Sequence, residues 1–159
     1  MSGRIRKIVS GGQTGVDRAA LDFAIEASVE FGGFVPKGRS DESGAIPERY
    51  SGLTEAPSEE PSVRTTLNVC GSDGTAVFFR GQAMGGTALT AALATALKRP
   101  LAQIDLSRLS TPEAAHALAQ WTDAHHVGVL NVAGPRWSED ANAYDDVLAI
   151  LRLAFSNQR

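Results

Sequence analysis

The chain has 159 residues, of which 43% are hydrophobic, and this suits a single domain over residues 1–159 with one sizeable core. A formal net charge of −3 and a pI near 5.6 lack the basic footprint of nucleic-acid binders, so no nucleic-acid partner is expected. The single Cys70 excludes an internal disulfide and a cysteine-only metal site. No apolar run could span a bilayer and the start MSGRIRK has no apolar signal region, so we expect a cytoplasmic protein without a membrane partner.

The glycine-rich stretch SGGQTGVDRAALD at 10–22 follows a short apolar run that begins at Ile5 and opens an apolar-periodic helix. Amides at the start of a helix have no intrahelical partner and lie at the positive end of its dipole, so they favour an oxyanion. We therefore predict an anion just above the Gly12–Gly15 loop; the alternative is a tight strand-to-helix turn without a ligand. Neither GxGxxG nor GxxxxGK[ST] is present. The residues predicted to bind here are Ser10, Gly11, Gly12, Gln13, Thr14, Gly15 and Arg18.

The composition changes after a predicted second strand at 32–36. Residues 37–61 contain six glycines or prolines among charged residues and few apolar side chains, which predicts an irregular loop segment. Such a segment is either a functional lid or a mobile surface loop. As a lid, it would close on the ligand with Lys37 and Arg39, although each cation alone is typical of solvated surface charge.

The rest of the chain alternates between helices and apolar strands. The pattern predicts helices at 62–69, 85–99, 111–125 and from about 139–143 to 155, and strands at 75–79, 101–106 and 127–132. Short apolar strands separated by helices indicate a parallel sheet covered on both faces. We therefore predict an α/β fold: a Rossmann-like, doubly wound sheet of about five strands.

In such a sheet, ligands bind outside the carboxyl ends of the strands at the topological switch point. The loops 10–18, 80–87 and 131–136 are expected to meet there. Gly85 and Gly86, which open the second Ala/Leu-rich helix, predict a second oxyanion subsite; the alternative is close helix–strand packing. The further candidate binding residues are Arg64, Arg80, Gly85, Gly86, Thr87, Asn131, Gly134 and Arg136.

Binding is better supported than catalysis. No Ser-His-Asp elbow, HExxH motif or pair of catalytic carboxylates is present. The adjacent His125 and His126 point in different directions on a helix and have no third ligand at metal spacing, so no protein-ligated metal is expected. Asp17 is left open between holding a polar ligand group and favouring the first helical turn.

The chain resembles the molybdenum cofactor carrier protein family in six stretches that follow the family's order. They are SGGQTGVDRAALD at 10–22, GGFVPKGR at 32–39, RTTLNV at 64–69, SDGT at 72–75, GGTALT at 85–90 and LNVAGPR at 130–136. The resemblance implies a Rossmann-like fold related to the lysine-decarboxylase-like phosphoribohydrolases. It also implies a ligand that is molybdenum cofactor or molybdate, a homo-oligomer, and molybdoenzymes or cofactor-synthesis proteins as partners.

The related phosphoribohydrolases carry a catalytic Glu in a PGGxGTxxE loop. The corresponding stretch of this chain reads MGGTALTAA and has no acid there. The leading interpretation is therefore a carrier for an anionic, phosphate-bearing small molecule. The alternatives are a phosphoribohydrolase-like enzyme that acts on nucleoside monophosphates and a nucleotide-sensing module.

Overall fold

A computed structural model describes residues 4–156, in which strands and helices alternate along most of the chain. The main sheet contains β1 (Lys7–Val9), β2 (Glu30–Gly32), β7 (Gly74–Phe79), β8 (Leu101–Asp105) and β9 (Val129–Ala133). The helices are α1 (Val16–Glu26), α2 (Pro61–Cys70), α3 (Gly85–Ala96), α4 (Thr111–Ala124) and α5 (Ala143–Ala154). Between β2 and α2 lie β3 (Phe34–Val35), β4 (Ser40–Asp41), β5 (Gly44–Ala45), a 3-10 helix (Glu48–Tyr50) and β6 (Thr54–Glu55).

The strand order of the main sheet is β2-β1-β9-β7-β8, and neighbouring strands pair in parallel. The predicted Rossmann-like, five-stranded parallel sheet is confirmed. In chain order the five strands read 2-1-5-3-4, and counting β9 as the first strand turns this into 3-2-1-4-5, the order of Rossmann sheets. The strands therefore lie in the Rossmann order, but β9, which occupies the position of the first Rossmann strand, comes last in the chain. The switch point lies between β9 and β7.

The sheet separates two groups of helices. Helix α5 packs against both α1 and α4, and α2 packs against α3. Because side chains alternate along a strand, Leu130 and Val132 of β9 face the large hydrophobic core beneath α1, α4 and α5. The intervening Asn131 is 2% exposed and donates from Nδ2 to Thr75 Oγ1 of β7 at 3.2 Å. A buried polar pair thus lies at the switch point.

The predicted single strand at 32–36 is two strands. Gly33 has a φ of +128°, and a Cβ on it would overlap the backbone of Ser10, so only glycine allows this close approach. The chain leaves the main sheet at this bend: β2 pairs with β1, and β3 pairs with β6.

The segment 37–61 is more ordered than an irregular loop. It contains the antiparallel pair β4–β5 and the 3-10 helix, and its Ile46, Tyr50 and Leu53 form a small buried cluster with Leu21 and Val35. The sequence interpretation that this segment offers too few apolar side chains for a core face is wrong. Its apolar residues follow neither helical nor strand spacing, which is why the pattern hides the cluster.

Within residues 4–156, no helix is both long enough and apolar enough to cross a membrane.

Candidate functional site

A polar crevice lies at the carboxyl end of β9, on the side of the sheet that α2 and α3 cover. Its walls come from the loop after β1, from α2, from the first turns of α3 and from the loop after β9. Nine predicted binding residues line it: Gly11, Gln13, Arg64, Gly85, Gly86, Thr87, Asn131, Gly134 and Arg136. The structure therefore brings together residues from four separate stretches of the chain.

Seven lining residues were not among the predicted binding residues. They are Asp17, Thr65, Asn68, Thr90, Val132, Ala133 and Glu139. Asn68 is partly explained by a structural role, because its amide group bonds the N–H and the carbonyl of Phe34 at 2.7 and 3.0 Å. Thr65 and Thr90 lie on helix faces that a sequence cannot orient without the fold. The sequence allows two roles for Asp17, binding a polar ligand group or favouring the first helical turn. Glu139 lies in a predicted loop without any motif.

The first turn of α3 forms one wall. Met84 precedes this helix in an extended conformation, and the N–H groups of Thr87 and Ala88 bond the Met84 carbonyl at 3.1 and 3.2 Å. The amides of Gly85 and Gly86 come earlier in the turn, where a helix supplies no carbonyl partner. A Cβ on Gly86 would meet nothing within 4 Å, so this wall is open towards the crevice.

Two guanidinium groups line the crevice, one from α2 and one from the loop after β9. Arg64 of α2 lies 3.4 Å from the carbonyl of Gly11 and 4.0 Å from Asp17 Oδ2, and its buried Nε has no hydrogen-bond partner among the described residues. Arg136, in the loop after β9, lies 3.5 Å from Glu42 and 3.8 Å from Glu139. Both ion pairs of Arg136 are long, so neither guanidinium is fully used by the protein.

Gly11 explains how Arg64 reaches the sheet edge. A Cβ at this position would overlap the Arg64 guanidinium, so the missing side chain makes room for the cation. The loop glycine therefore admits a charged side chain from α2 to the crevice, which the sequence pattern alone does not indicate.

Asp17 is a buried carboxyl group in this crevice, 6% exposed. Its Oδ2 accepts a hydrogen bond from the Gln13 amide at 3.2 Å. Burial raises the pKa of Asp17 to about 6, although the charge of Arg64 and the Gln13 hydrogen bond act in the opposite direction. The group therefore titrates close to the neutral range.

The amides of the loop 10–15 take part in hydrogen bonds within the loop and to α1, whereas the predicted anion above Gly12–Gly15 would need them free. The amides of Gly12, Gln13 and Thr14 donate to Ser10 Oγ, Asp17 Oδ2 and Gln13 Oε1 at 3.0–3.2 Å. Gly12 faces the small hydrophobic cluster, because a Cβ on it would lie 2.7 Å from Val35 Cγ1. Of the two glycine-rich loops, only the first turn of α3 leaves its first amides without a side-chain partner.

Eight predicted residues do not line the crevice: Ser10, Gly12, Thr14, Gly15, Arg18, Lys37, Arg39 and Arg80. Ser10 is buried and donates to the Asp17 carbonyl, and a Cβ on Gly15 would overlap the Pro135 carbonyl, so both serve close packing. Thr14 accepts from the Trp137 amide at 3.0 Å. The binding roles of these residues stay predictions.

The four predicted cations of this group have other neighbours. Arg18 pairs with Asp41 at 2.6 Å, and Arg80 pairs with Asp140 and Asp146 at 2.9 and 2.7 Å. Arg39 points towards the carbonyls of Pro47 and Tyr50, and Lys37 lines a shallow pocket beside Glu55.

The hairpin formed by β4 and β5, residues 40–45, reaches across to the crevice loops. Glu42 at its tip accepts hydrogen bonds from Thr14 and from the hydroxyl and amide of Ser138. The hydrogen bond from the Ser138 hydroxyl, and next the one from Thr14, stabilise the ionised carboxylate and lower the pKa of Glu42. The hairpin therefore joins the loop after β1 to the loop after β9.

Among residues 4–156, no group of three or more His, Cys, Asp or Glu side chains could hold a metal ion.

No curated protein is significantly similar to the chain. The model of the circularly permutated YpsA SLOG family matches residues 8–155. The chain belongs to this family. The permuted Rossmann strand order, with β9 at the centre of the sheet, agrees with the family's description.

A solved structure agrees closely with this member of the circularly permutated YpsA SLOG family. It is the crystal structure of a protein from Syntrophus aciditrophicus SB named "Putative molybdenum carrier protein". The two chains are 47% identical, the TM-score is 0.94, and the match covers 97% of each chain. The resemblance to molybdenum carrier proteins inferred from the six sequence stretches is confirmed.

Proposed function

We propose that the protein is a carrier that binds a small phosphate-bearing or oxyanionic ligand in the crevice, with molybdenum cofactor or molybdate as the ligand. The observation that carries the proposal is the meeting of Arg64, Arg136 and the open first turn of α3 at one polar crevice. The name of the similar Syntrophus protein, which mentions a molybdenum carrier, supports the choice of ligand.

The charges of the crevice favour an anion. Free amides at a helix start attract negative charge, and guanidinium groups form strong, charge-assisted hydrogen bonds with oxyanions. The long contacts of Arg64 leave donors of its guanidinium group for a ligand to satisfy. An oxyanion between Arg64 and Gly86 would complete both walls.

The volume indicates which part of a ligand binds here. The crevice encloses about 150 Å³, less than the roughly 300–1,000 Å³ of typical small-molecule sites. An adjoining groove of about 590 Å³ shares Thr87 and Glu139 with it and is lined also by Phe79, Met84 and Pro135. A phosphate end in the crevice and a larger, partly apolar body in the groove would use both spaces.

Asp17 is the observation that favours an enzyme as the second candidate. Its carboxyl group has a pKa raised to about 6, as a general acid requires, and it lines the crevice. The chain nevertheless has no acid in the stretch MGGTALTAA, near Thr90, where the related phosphoribohydrolases carry their Glu. Chromatography after incubation with AMP separates the candidates: a carrier releases no more than a trace of free base, and an enzyme releases it at about one per second or faster.

The remaining parts of the proposal concern the setting of the carrier. We expect a homo-oligomer in the cytoplasm that delivers its ligand to molybdoenzymes or receives it from cofactor-synthesis proteins. These expectations come from the family resemblance. Native mass spectrometry of the protein from its own cell gives the oligomer mass and the mass of any bound ligand.

Filling the crevice tests the proposal. Gly86→Val places a side chain in open space, so the fold is preserved while an anion loses access to α3. Ala92→Val is the matched control, because Ala92 is an exposed residue of the same helix and does not line the crevice. By calorimetry at pH 6.5 with phosphate and with molybdate, we expect Gly86→Val to lose at least about tenfold in affinity and Ala92→Val to bind like the parent. Equal binding by Gly86→Val would place the site elsewhere.

A further inference from the structure

Asp17 places a carboxyl group where the proposed function needs an anion to bind. The side chain is only 8% exposed, and it forms part of the crevice wall. One carboxyl oxygen, Oδ2, accepts from the Gln13 amide at 3.2 Å. The other, Oδ1, takes part in no hydrogen bond among residues 4–156, and it is not one of the fully buried side-chain atoms without a partner there, so it keeps some access to the crevice.

The charges around Asp17 do not neutralise it fully. Arg64 of α2 is 4.0 Å away, and Arg18 of α1 acts from a greater distance while pairing with Asp41. The loop after β9 contributes Arg136 and Glu139 to the crevice, whereas the lining residues from α3 and β9 carry no titratable side chain. Burial outweighs these cations and raises the pKa of Asp17 to about 6. No histidine lines the crevice within the described residues.

An ionised carboxylate and an oxyanion conflict at this position. Both are hydrogen-bond acceptors, and both are negative, so bringing them together is unfavourable unless a proton lies between them. With one shared proton the repulsive contact becomes a short, charge-assisted O–H···O hydrogen bond. The proton comes either from the ligand, which leaves Asp17 ionised as the acceptor, or from solvent, which protonates Asp17 as the donor.

We propose that Asp17 selects oxyanions that bring their own proton, so that the crevice takes hydrogen phosphate or the monoanion of a phosphate monoester in preference to molybdate or sulfate. Of the two ligands of the proposed function, this favours the phosphate-bearing cofactor over free molybdate. The inference rests on the proposed function, since it assumes that an anion binds in the crevice. A phosphate monoester has a second pKa of about 6, so about half of it carries a proton at that pH, whereas molybdate and sulfate hold none there. Selection by a repulsive group against the wrong ligand is a common source of specificity.

Calorimetry with inorganic phosphate and sulfate tests the proposal on the unmodified protein. Hydrogen phosphate carries a proton at pH 8 and sulfate does not. We expect phosphate to bind at least about tenfold more tightly than sulfate at pH 8. Sulfate affinity should rise about tenfold when the pH is lowered from 8 to 7, because its binding takes up one proton. Repeating the titrations in buffers of different ionisation enthalpy should give uptake near one proton for sulfate and near zero for phosphate.

Asp17→Asn removes the titration and leaves an oxygen that can still accept from Gln13. We expect this variant to bind sulfate with an affinity that does not depend on pH between 7 and 8, and to prefer phosphate by less than about threefold. Glu26→Gln is the matched control, because it removes one carboxylate from the same helix outside the crevice, where Glu26 pairs with Arg152. It should retain the selectivity of the parent.

The outcomes separate the two proposals. Equal affinity of the parent for both anions at pH 8, or unchanged selectivity in Asp17→Asn, would overturn the role of Asp17 while leaving an anion site in place. If neither anion binds the parent or the folded variant at any pH from 6 to 8, the proposed function is wrong and this inference fails with it.

Discussion

At the scale of single residues, Arg64 has the largest unused capacity for binding. Its guanidinium lies at long distances from Gly11 and Asp17, and a hydrogen bond to a charged group is worth about 1.5–3 kcal/mol when a well-placed partner is present. We expect Arg64→Ala to weaken phosphate binding at pH 7 by at least about tenfold in a calorimetric titration. Arg108→Ala is the control, because that side chain is 84% exposed and outside the crevice. Similar losses in both variants would indicate a general charge effect.

Asp17 also has a consequence for stability. Its pKa is about 6 in the folded protein, against 3.8 for an unperturbed aspartate side chain, so the folded state holds the proton more tightly than the unfolded chain does. Unfolding free energy therefore falls as the pH rises from about 3.8 to 6 and stays lower above that range. We expect Asp17→Asn to be more stable than the parent at pH 8, by on the order of 1–3 kcal/mol, and to lose this advantage near pH 4.

Urea unfolding followed by circular dichroism at both pH values measures this difference. A gain that is the same at pH 4 and pH 8 would mean that the carboxyl group is not strained by its burial. Glu26→Gln, which changes an exposed surface pair, should show no comparable gain at pH 8.

At the scale of elements, the hairpin at residues 40–45 couples the edge of the protein to the crevice. Glu42 contacts Ser138 and Arg136 in the loop after β9, so a ligand that orders this loop should also order the hairpin. By hydrogen exchange, we expect phosphate to increase protection across residues 37–43 more than across 114–121 of α4.

Glu42→Gln provides the comparison, because it weakens the connection without altering a crevice-lining residue. The ligand should then protect residues 37–43 less than it does in the parent. Equal exchange with and without ligand in the parent protein would show that the segment takes no part in binding, and the predicted roles of Lys37 and Arg39 would be withdrawn.

The elements differ in how far the sequence predicts them. The helix at 111–125 has a clear start, and the structure gives it a Ser110–Glu113 capping box and the bounds Thr111–Ala124. The break at Gly33 depends on the approach of Ser10, a contact between positions that are distant in the chain, so no local pattern reveals it. The same reason applies to Arg64. The sequence predicts it as a candidate cation for the ligand, but its position beside Gly11 follows from the packing of α2.

At the scale of the whole molecule, the permuted strand order decides where the site lies. With β9 in the centre, the loops after β1, β7 and β9 meet at the carboxyl ends of the strands. The alternation of strands and helices in the sequence predicts this meeting. What the sequence could not predict is which glycine-rich loop keeps its amides free. The loop at 10–15 uses them internally through Ser10, Gln13 and Asp17, whereas no side-chain cap bonds the first amides of α3.

The position of a bound anion tests the central claim most directly. Crystals soaked in molybdate at pH 5.5, where Asp17 is largely protonated, can be measured at the molybdenum absorption edge to locate the metal by anomalous scattering. We expect a peak in the crevice, with oxyanion oxygens within about 3 Å of the Arg64 guanidinium and of the amides of Gly85 or Gly86. A peak found only at the Gly12–Gly15 loop or elsewhere on the protein, with none between Arg64 and α3, would contradict the account.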